Sequence, residues 1–145
     1  MNLSFEFEGL SDLLPDFDEV GLAMVEEAGP VLVEQMKEKV QRVVKHEGDS
    51  ELVNSVSMSK PRKGKYDDYI VSAYFKGESK TKTYRHSKTK RGHYKVSNAL
   101  KAIWKEYGIP SRDIPAQPFL EQTLKAAETE ALDKMQKVFD DKVTT

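Results

Sequence analysis

Two long runs of apolar residues at helical spacing constrain the fold of this 145-residue chain more than any other feature. In both runs the apolar residues recur mostly at steps of three and four, with polar residues between them, which is the pattern of a helix that buries one face. The first run, from about residue 16, contains Val20, Met24, Ala28, Val31, Met36, Val40 and Val43. The second run, from Pro118, contains Phe119, Leu120, Thr123, Leu124, Ala127, Ala131, Met135 and Val138. We therefore expect two long amphipathic helices.

The dipeptide Gly29-Pro30 interrupts the first run. Proline has no amide donor, and its ring crowds the carbonyl of Glu26 one turn earlier. The sequence therefore predicts a kink or a break at this point. We expect the helix to end near the turn-forming residues 46–50.

Segments in which apolar and polar residues alternate predict a small antiparallel sheet. Leu3, Phe5 and Phe7 alternate with polar residues and indicate a first strand. Residues 68–76 alternate in the same way, and residues 55–60 form a weaker candidate. Because a Pro-to-Gly turn segment lies between the last two, we expect them to pair as an antiparallel hairpin around a loose loop.

A short third helix should follow residue 97. Ser97 is a good N-cap residue, and Gly108 with Pro110 should stop the helix. Its apolar face, Leu100, Ile103, Trp104 and Tyr107, is interpreted as core or subunit contact rather than as a ligand site. The whole pattern predicts one α+β domain over residues 1–145, a small antiparallel β-sheet packed against two long α-helices plus one short helix.

Positive charge is concentrated in one third of the chain. Residues 60–95 contain twelve Lys or Arg against three acidic residues, a local net charge of +9, and the remainder carries −10. Residues 77–95 have no apolar period and are predicted to form a long exposed basic loop. Its candidate contact residues are Lys80, Lys82, Arg85, Lys88, Lys90, Arg91 and Lys95.

Three interpretations of this basic segment stay open. It can be an assembly arm that lies against the acidic surface of a neighbouring subunit and becomes ordered on docking. It can contact DNA phosphates without reading sequence, with Tyr84 and Tyr94 available for stacking on bases. It can also be a solvated loop without a partner.

The sequence contains no recognisable reactive constellation. Cysteine is absent, which excludes disulfides, thiol catalysis and cysteine-ligated metals. His46, His86 and His93 are not grouped with carboxylates at metal-ligand spacing, and no Ser/His/Asp order or glycine-rich phosphate loop occurs. We therefore expect no enzyme activity, no catalytic residues, no bound metal and no cofactor.

No segment predicts contact with a membrane. No run approaches the roughly 18 apolar residues that a membrane span needs. The first ten residues have neither a basic flank nor an apolar run. We expect neither membrane insertion nor Sec export.

Five sequence marks in a fixed order resemble the tail-completion, or head-tail joining, proteins of long-tailed bacteriophages. They are the strand ending in Gly-Leu at 5–10, the apolar Pro segment at 28–32, the Leu, Ser and Val of 49–56, Trp-Lys-Glu-Tyr-Gly at 104–108 and Pro-Ala-Gln-Pro-Phe-Leu at 115–120. The third mark lacks the family's Thr-Gly, and Ile109 replaces the Thr that follows the fourth. The resemblance covers nearly the whole chain except the basic segment.

The resemblance implies a structural virion protein of the neck and tail, assembled in the host cytoplasm. Such proteins form a ring, usually of six subunits, between the head connector or stopper protein and the major tail tube protein. The motif residues carried over are Glu106, Tyr107, Gly108, Pro115, Ala116, Pro118, Phe119 and Leu120. On physical grounds 115–120 is an extended segment leading into a helix, with its last two residues in the core. The alternative is a non-enzymatic nucleic-acid-binding module that uses segment 60–95.

Overall fold

The computed structural model describes residues 2–7, 17–44, 50–86 and 91–143. These residues form antiparallel sheets packed with helices, which confirms the predicted α+β fold with two long helices and a short one. In chain order the elements are β1 (Asn2–Phe7), α1 (Phe17–Val43), α2 (Ser50–Asn54), β2 (Val56–Met58), β3 (Arg62–Lys63), β4 (Tyr69–Phe75), β5 (Glu78–His86), β6 (Arg91–Ser97), α3 (Asn98–Tyr107), a 3₁₀ turn (Pro110–Arg112) and α4 (Leu120–Val143).

Strand β4 is the centre of the main sheet. It pairs antiparallel with β1 along one edge and with β2 and β3 along the other. Its alternate residues Tyr69, Val71, Ala73 and Phe75 are buried, as the period of two predicts. The predicted hairpin of β2 with β4 is therefore confirmed, and the predicted loose loop between them contains β3.

Helices α1 and α4 pack along each other and complete the core over the sheet. Phe17, at the start of α1, lies 6.0 Å from the ring of Phe139 in α4 and 6.4 Å from the ring of Tyr69 in β4. Ala127 and Ala131 face the core from α4, and their small side chains allow the two helices to approach closely. None of the helices in the described residues is long and apolar enough to cross a membrane.

The predicted break at Pro30 is wrong, because α1 continues through it. Pro30 and Glu26 are both exposed, so water can reach the carbonyl that loses its helical partner. Gly29 is buried against the sheet, where a Cβ would meet the Met58 sulfur and lie 3.1 Å from a methyl group of Val71. Glycine at this position therefore lets α1 lie directly on β2 and β4.

The predicted basic loop over 77–95 is also wrong for the described residues, since Glu78–His86 and Arg91–Ser97 form an antiparallel ribbon of β5 and β6, while 87–90 lie outside the described residues. The register runs from Glu78 opposite Ser97 to His86 opposite Arg91, with an irregularity between Glu78 and Lys82. A two-stranded ribbon needs no apolar face, so the missing apolar period was not evidence against strands. The frequent Thr and Tyr residues of this segment are typical of strands.

Helix α3 begins as predicted but does not bury its apolar face. The Ser97 hydroxyl accepts a hydrogen bond from the Leu100 amide at 3.1 Å, which confirms the N-cap. However, Tyr107 is 67% exposed and Ile103 36%, while Trp104 is only half-buried. The core interpretation of this face is therefore wrong, and the buried residues of α3 are Asn98 and Ala102.

Candidate functional site

The end of α3 and the start of α4 are joined by one carboxylate. Oxygen Oε2 of Glu106 accepts hydrogen bonds from the Phe119 amide at 2.7 Å and from the Leu120 amide at 3.2 Å. Leu120 is the first residue of α4 and Phe119 directly precedes it, and backbone donors at the start of a helix have no partner within the helix. A negative charge at this position also interacts favourably with the helix dipole. Glu106 therefore acts as the N-terminal cap of a helix that begins 14 residues later.

Gly108 makes a second contact between the end of α3 and the segment that leads into α4, a region that we call the joint. Its φ of +72° and ψ of −177° lie in a region that is essentially restricted to glycine. A Cβ here would lie 2.6 Å from the carbonyl oxygen of Ile114 and 2.7 Å from the amide nitrogen of Ala116. The Gln117 amide also donates to the Lys105 carbonyl at 2.7 Å. The backbone before α4 is thus held directly against the end of α3.

The joint brings together motif residues that the resemblance placed in two separate marks. Phe119 is 1% exposed, and its ring meets Phe75 of β4 edge-on at 6.0 Å. Leu120 is half-buried, so the predicted core role of both residues is consistent with their placement. Tyr107, Pro115, Ala116 and Pro118 are exposed, and α4 begins at Leu120 rather than at Pro118.

The candidate basic residues are spread along the ribbon. Lys80, Lys82 and Arg85 lie in β5, whereas Arg91 and the exposed Lys95 lie in β6. Lys88 and Lys90 fall outside the described residues. The register places Lys82 opposite Lys95 along the ladder.

The base of the ribbon is fixed to the body of the protein. Asn98 donates from its backbone to the Gly77 carbonyl and from Nδ2 to the Lys76 carbonyl, both at 2.9 Å. The buried Ser79 donates to Glu51 of α2 at 3.3 Å. A shallow pocket of about 260 Å³ opens here, lined by Glu51, Asn54, Ser55, Lys76, Glu78 and Asn98. The Asn98 Oδ1 atom is buried there with no partner among the described residues.

Two helices present exposed apolar side chains. On α3 they are Ile103 and Tyr107, with the half-buried Trp104 beside them. On α4 they are Leu124 and Leu132, which are 38% and 46% exposed. Exposed apolar side chains that follow one face of a helix mark interaction surfaces when they are grouped.

The strongest electrostatic network of the described residues is structural. The Tyr69 hydroxyl donates to Asp18 at 2.5 Å, and Lys63 contacts Asp18 at 2.9 Å and Asp67 at 3.1 Å. Burial, followed by the bond to Asp18, raises the pKa of Tyr69 to about 12. The Tyr69 bond and Lys63 lower the pKa of Asp18, and the two carboxylates raise that of Lys63. Each group is thus held in its usual charge state. The contacts of Asp18 with Lys63 and Tyr69 connect α1 to β3 and β4.

The function of these surfaces cannot be inferred from a metal centre in the described residues or from a known relative. The described residues contain no cluster of three or more His, Asp or Glu side chains that could hold a metal ion. Comparisons with protein-family models, curated proteins and solved structures found no match for this chain. The resemblance to the tail-completion family therefore stays a prediction.

Proposed function

We propose that this chain is a non-enzymatic structural subunit of the ring that closes the head-proximal end of a bacteriophage tail and joins it to the head. The joint between α3 and α4 carries the proposal. The mark 115–120, which is the most specific of the resemblance, meets the mark 104–108 there through the Glu106 cap and the Gly108 contact. Their co-occurrence thus has a physical reason, since each mark holds the other in place.

The surface chemistry agrees with an assembly role. The proposed partners are other copies of the chain in a ring of six, the head connector or stopper protein, and the major tail tube protein, all in the virion neck. The exposed apolar faces of α3 and α4 suit contacts between proteins. The basic ribbon of β5 and β6 suits an arm that lies on an acidic neighbour, because the chain outside residues 60–95 carries a net charge of −10.

A nucleic-acid-binding module is the second candidate. The net charge of +9 over residues 60–95 favours an anionic partner, and a phosphate backbone is one. Such binding would follow charge rather than base sequence, because phosphate contacts do not read the bases.

Light scattering of the purified chain, alone and with duplex DNA at low and moderate salt, separates the two candidates. For a ring subunit we expect a monomer or weak oligomer, with DNA binding lost at moderate salt. A triple variant with Lys80, Lys82 and Lys95 changed to Ser should then behave like the unmodified chain. The matched control changes three exposed lysines of α4, Lys125, Lys134 and Lys137.

A nucleic-acid-binding module predicts a different result. A DNA complex should persist at moderate salt. The triple variant of the ribbon, with Lys80, Lys82 and Lys95 changed to Ser, should flatten the dependence of log affinity on log salt by about one unit per contact removed. The α4 variant should not change that slope. This pair of results would replace the ring proposal with the second candidate.

A further inference from the structure

The exposed face of α3 is apolar with a basic flank. Ile103, Trp104 and Tyr107 lie on one side of the helix, and Lys101 and Lys105 lie beside them. At 1.5 Å per residue, the face from Leu100 to Tyr107 is about 10 Å long. The ribbon continues the positive charge, because β6 leads directly into α3. This surface therefore suits a partner that presents apolar and acidic groups together.

The exposed face of α4 has that composition. Leu124 and Leu132 are eight residues apart, about 12 Å along the helix, with the exposed Glu128 between them. Glu121, which forms an ion pair with Lys125 at 3.0 Å, lies one turn before Leu124. The two faces are thus similar in length and in apolar character, and Glu128 on α4 is opposite in charge to Lys101 beside the α3 face, whereas Glu121 is already paired with Lys125. They belong to different surfaces of one chain, as a head-to-tail interface requires.

We propose that the α3 face of one copy docks on the α4 face of the next copy, so that the chain builds a head-to-tail ring. This inference rests on the proposed function and specifies its interface between subunits. The Glu106 cap then has a second consequence. Because it fixes the end of α3 to the first turn of α4, it sets the angle between the two docking faces and hence the rotation from one subunit to the next.

Cysteine trapping tests this pairing, because the chain has no cysteine of its own. Ile103→Cys and Glu128→Cys place one thiol in each face, at exposed positions where substitution leaves the fold intact. The two variants are mixed at about 1 mM, where even weak contacts are populated, and oxidised. We expect the mixed disulfide dimer to exceed, by about tenfold, that formed by Ile103→Cys with the control Gln41→Cys on the exposed side of α1. The variant carrying both thiols should form a ladder of linked chains.

Charge exchange tests the complementarity independently. Lys101→Glu and Glu128→Lys should each reduce trapping between Ile103→Cys and a second thiol at Leu132→Cys about tenfold, and combining them should restore it. Homodimers of Ile103→Cys alone would overturn the inference in favour of symmetric pairing. No trapping above the control would also overturn it.

The experiments distinguish a failure of the α3–α4 pairing from a failure of the proposed function. Loss of trapping would leave the proposed function standing, because that function depends on whether joined virions form without the gene. Trapping of the expected pair, together with normal virions in the absence of the gene, would support the pairing and contradict the proposed function.

Discussion

Among single residues, Glu106 joins α3 to α4 through one carboxylate oxygen, which accepts hydrogen bonds from two backbone amides. We expect Glu106→Ala to lower the free energy of unfolding by about 1–3 kcal/mol, because the two amides at the start of α4, those of Phe119 and Leu120, lose a charged acceptor. Glu106→Gln keeps an acceptor without the charge and should recover part of this loss. Urea unfolding measures both. The control Glu121→Ala removes an exposed carboxylate from the same helix end and should change stability by no more than about 0.5 kcal/mol. Equal effects at both positions would contradict the capping role.

Gly108 allows a second prediction with an internal control. Gly108 and Gly77 both have positive φ, but only Gly108 has backbone atoms where a Cβ would lie. Gly77→Ala should therefore cost about 1–2 kcal/mol for the backbone conformation alone. Gly108→Ala should cost at least about 3 kcal/mol, because it adds a clash with residues 114–116. Thermal unfolding of the two variants decides this, and equal losses would show that the joint is not closely packed.

The caps of α3 and α4 differ in how far the sequence could predict them. The N-cap at Ser97 was predictable because its partner is three residues away. The cap at Glu106 was not, because its partners are 13 and 14 residues away across a turn. The only sequence signal was an acidic residue shortly before a helix start. The motifs at 104–108 and 115–120 could thus be recognised in the sequence, but the contact between them could not be predicted from it.

At the scale of elements, the buried parts of the fold were the predictable ones. Strand β4 and helices α1 and α4 bury one face, and burial imposes a period on the sequence. The ribbon of β5 and β6 was missed because it has no apolar face. The face of α3 was predicted to be core or subunit contact, and the core alternative was wrong because periodicity shows that a face is apolar, not that the same chain covers it.

The bond between Tyr69 and Asp18 connects elements in a pH-dependent way. The folded state holds the Tyr69 proton up to a pKa of about 12, whereas the unfolded chain loses it near the ordinary tyrosine pKa of 10.0. Between these values the unfolded state binds fewer protons, so stability falls as pH rises. Lys63, whose pKa is also raised, contributes in the same direction.

Tyr69→Phe should therefore flatten the alkaline loss of stability between about pH 10 and 12. Tyr66→Phe is the matched control, because Tyr66 is 76% exposed and should leave that loss unchanged. Melting temperatures recorded from about pH 8 to 12 measure both variants. If the Tyr69→Phe curve kept the slope of the unmodified chain, the bond would not link α1 to the sheet in the way described.

At the scale of the whole molecule, charge and apolar surface are distributed as an assembly protein requires. The ribbon of β5 and β6 is basic whereas the rest of the chain carries a net negative charge, and the apolar faces of α3 and α4 are exposed rather than packed together. Repeated copies can satisfy all three surfaces, whereas a single copy leaves them open. We therefore propose that this chain functions between other proteins of a virion.

Electron microscopy of particles produced by the source genome without this gene tests that claim most directly. We expect filled heads and separate, complete-length tails, because the joining ring would be missing. Supplying the unmodified chain in trans should restore joined particles. Normal virions in the absence of the gene would contradict the account, as would an intact source genome that produces no tailed particles.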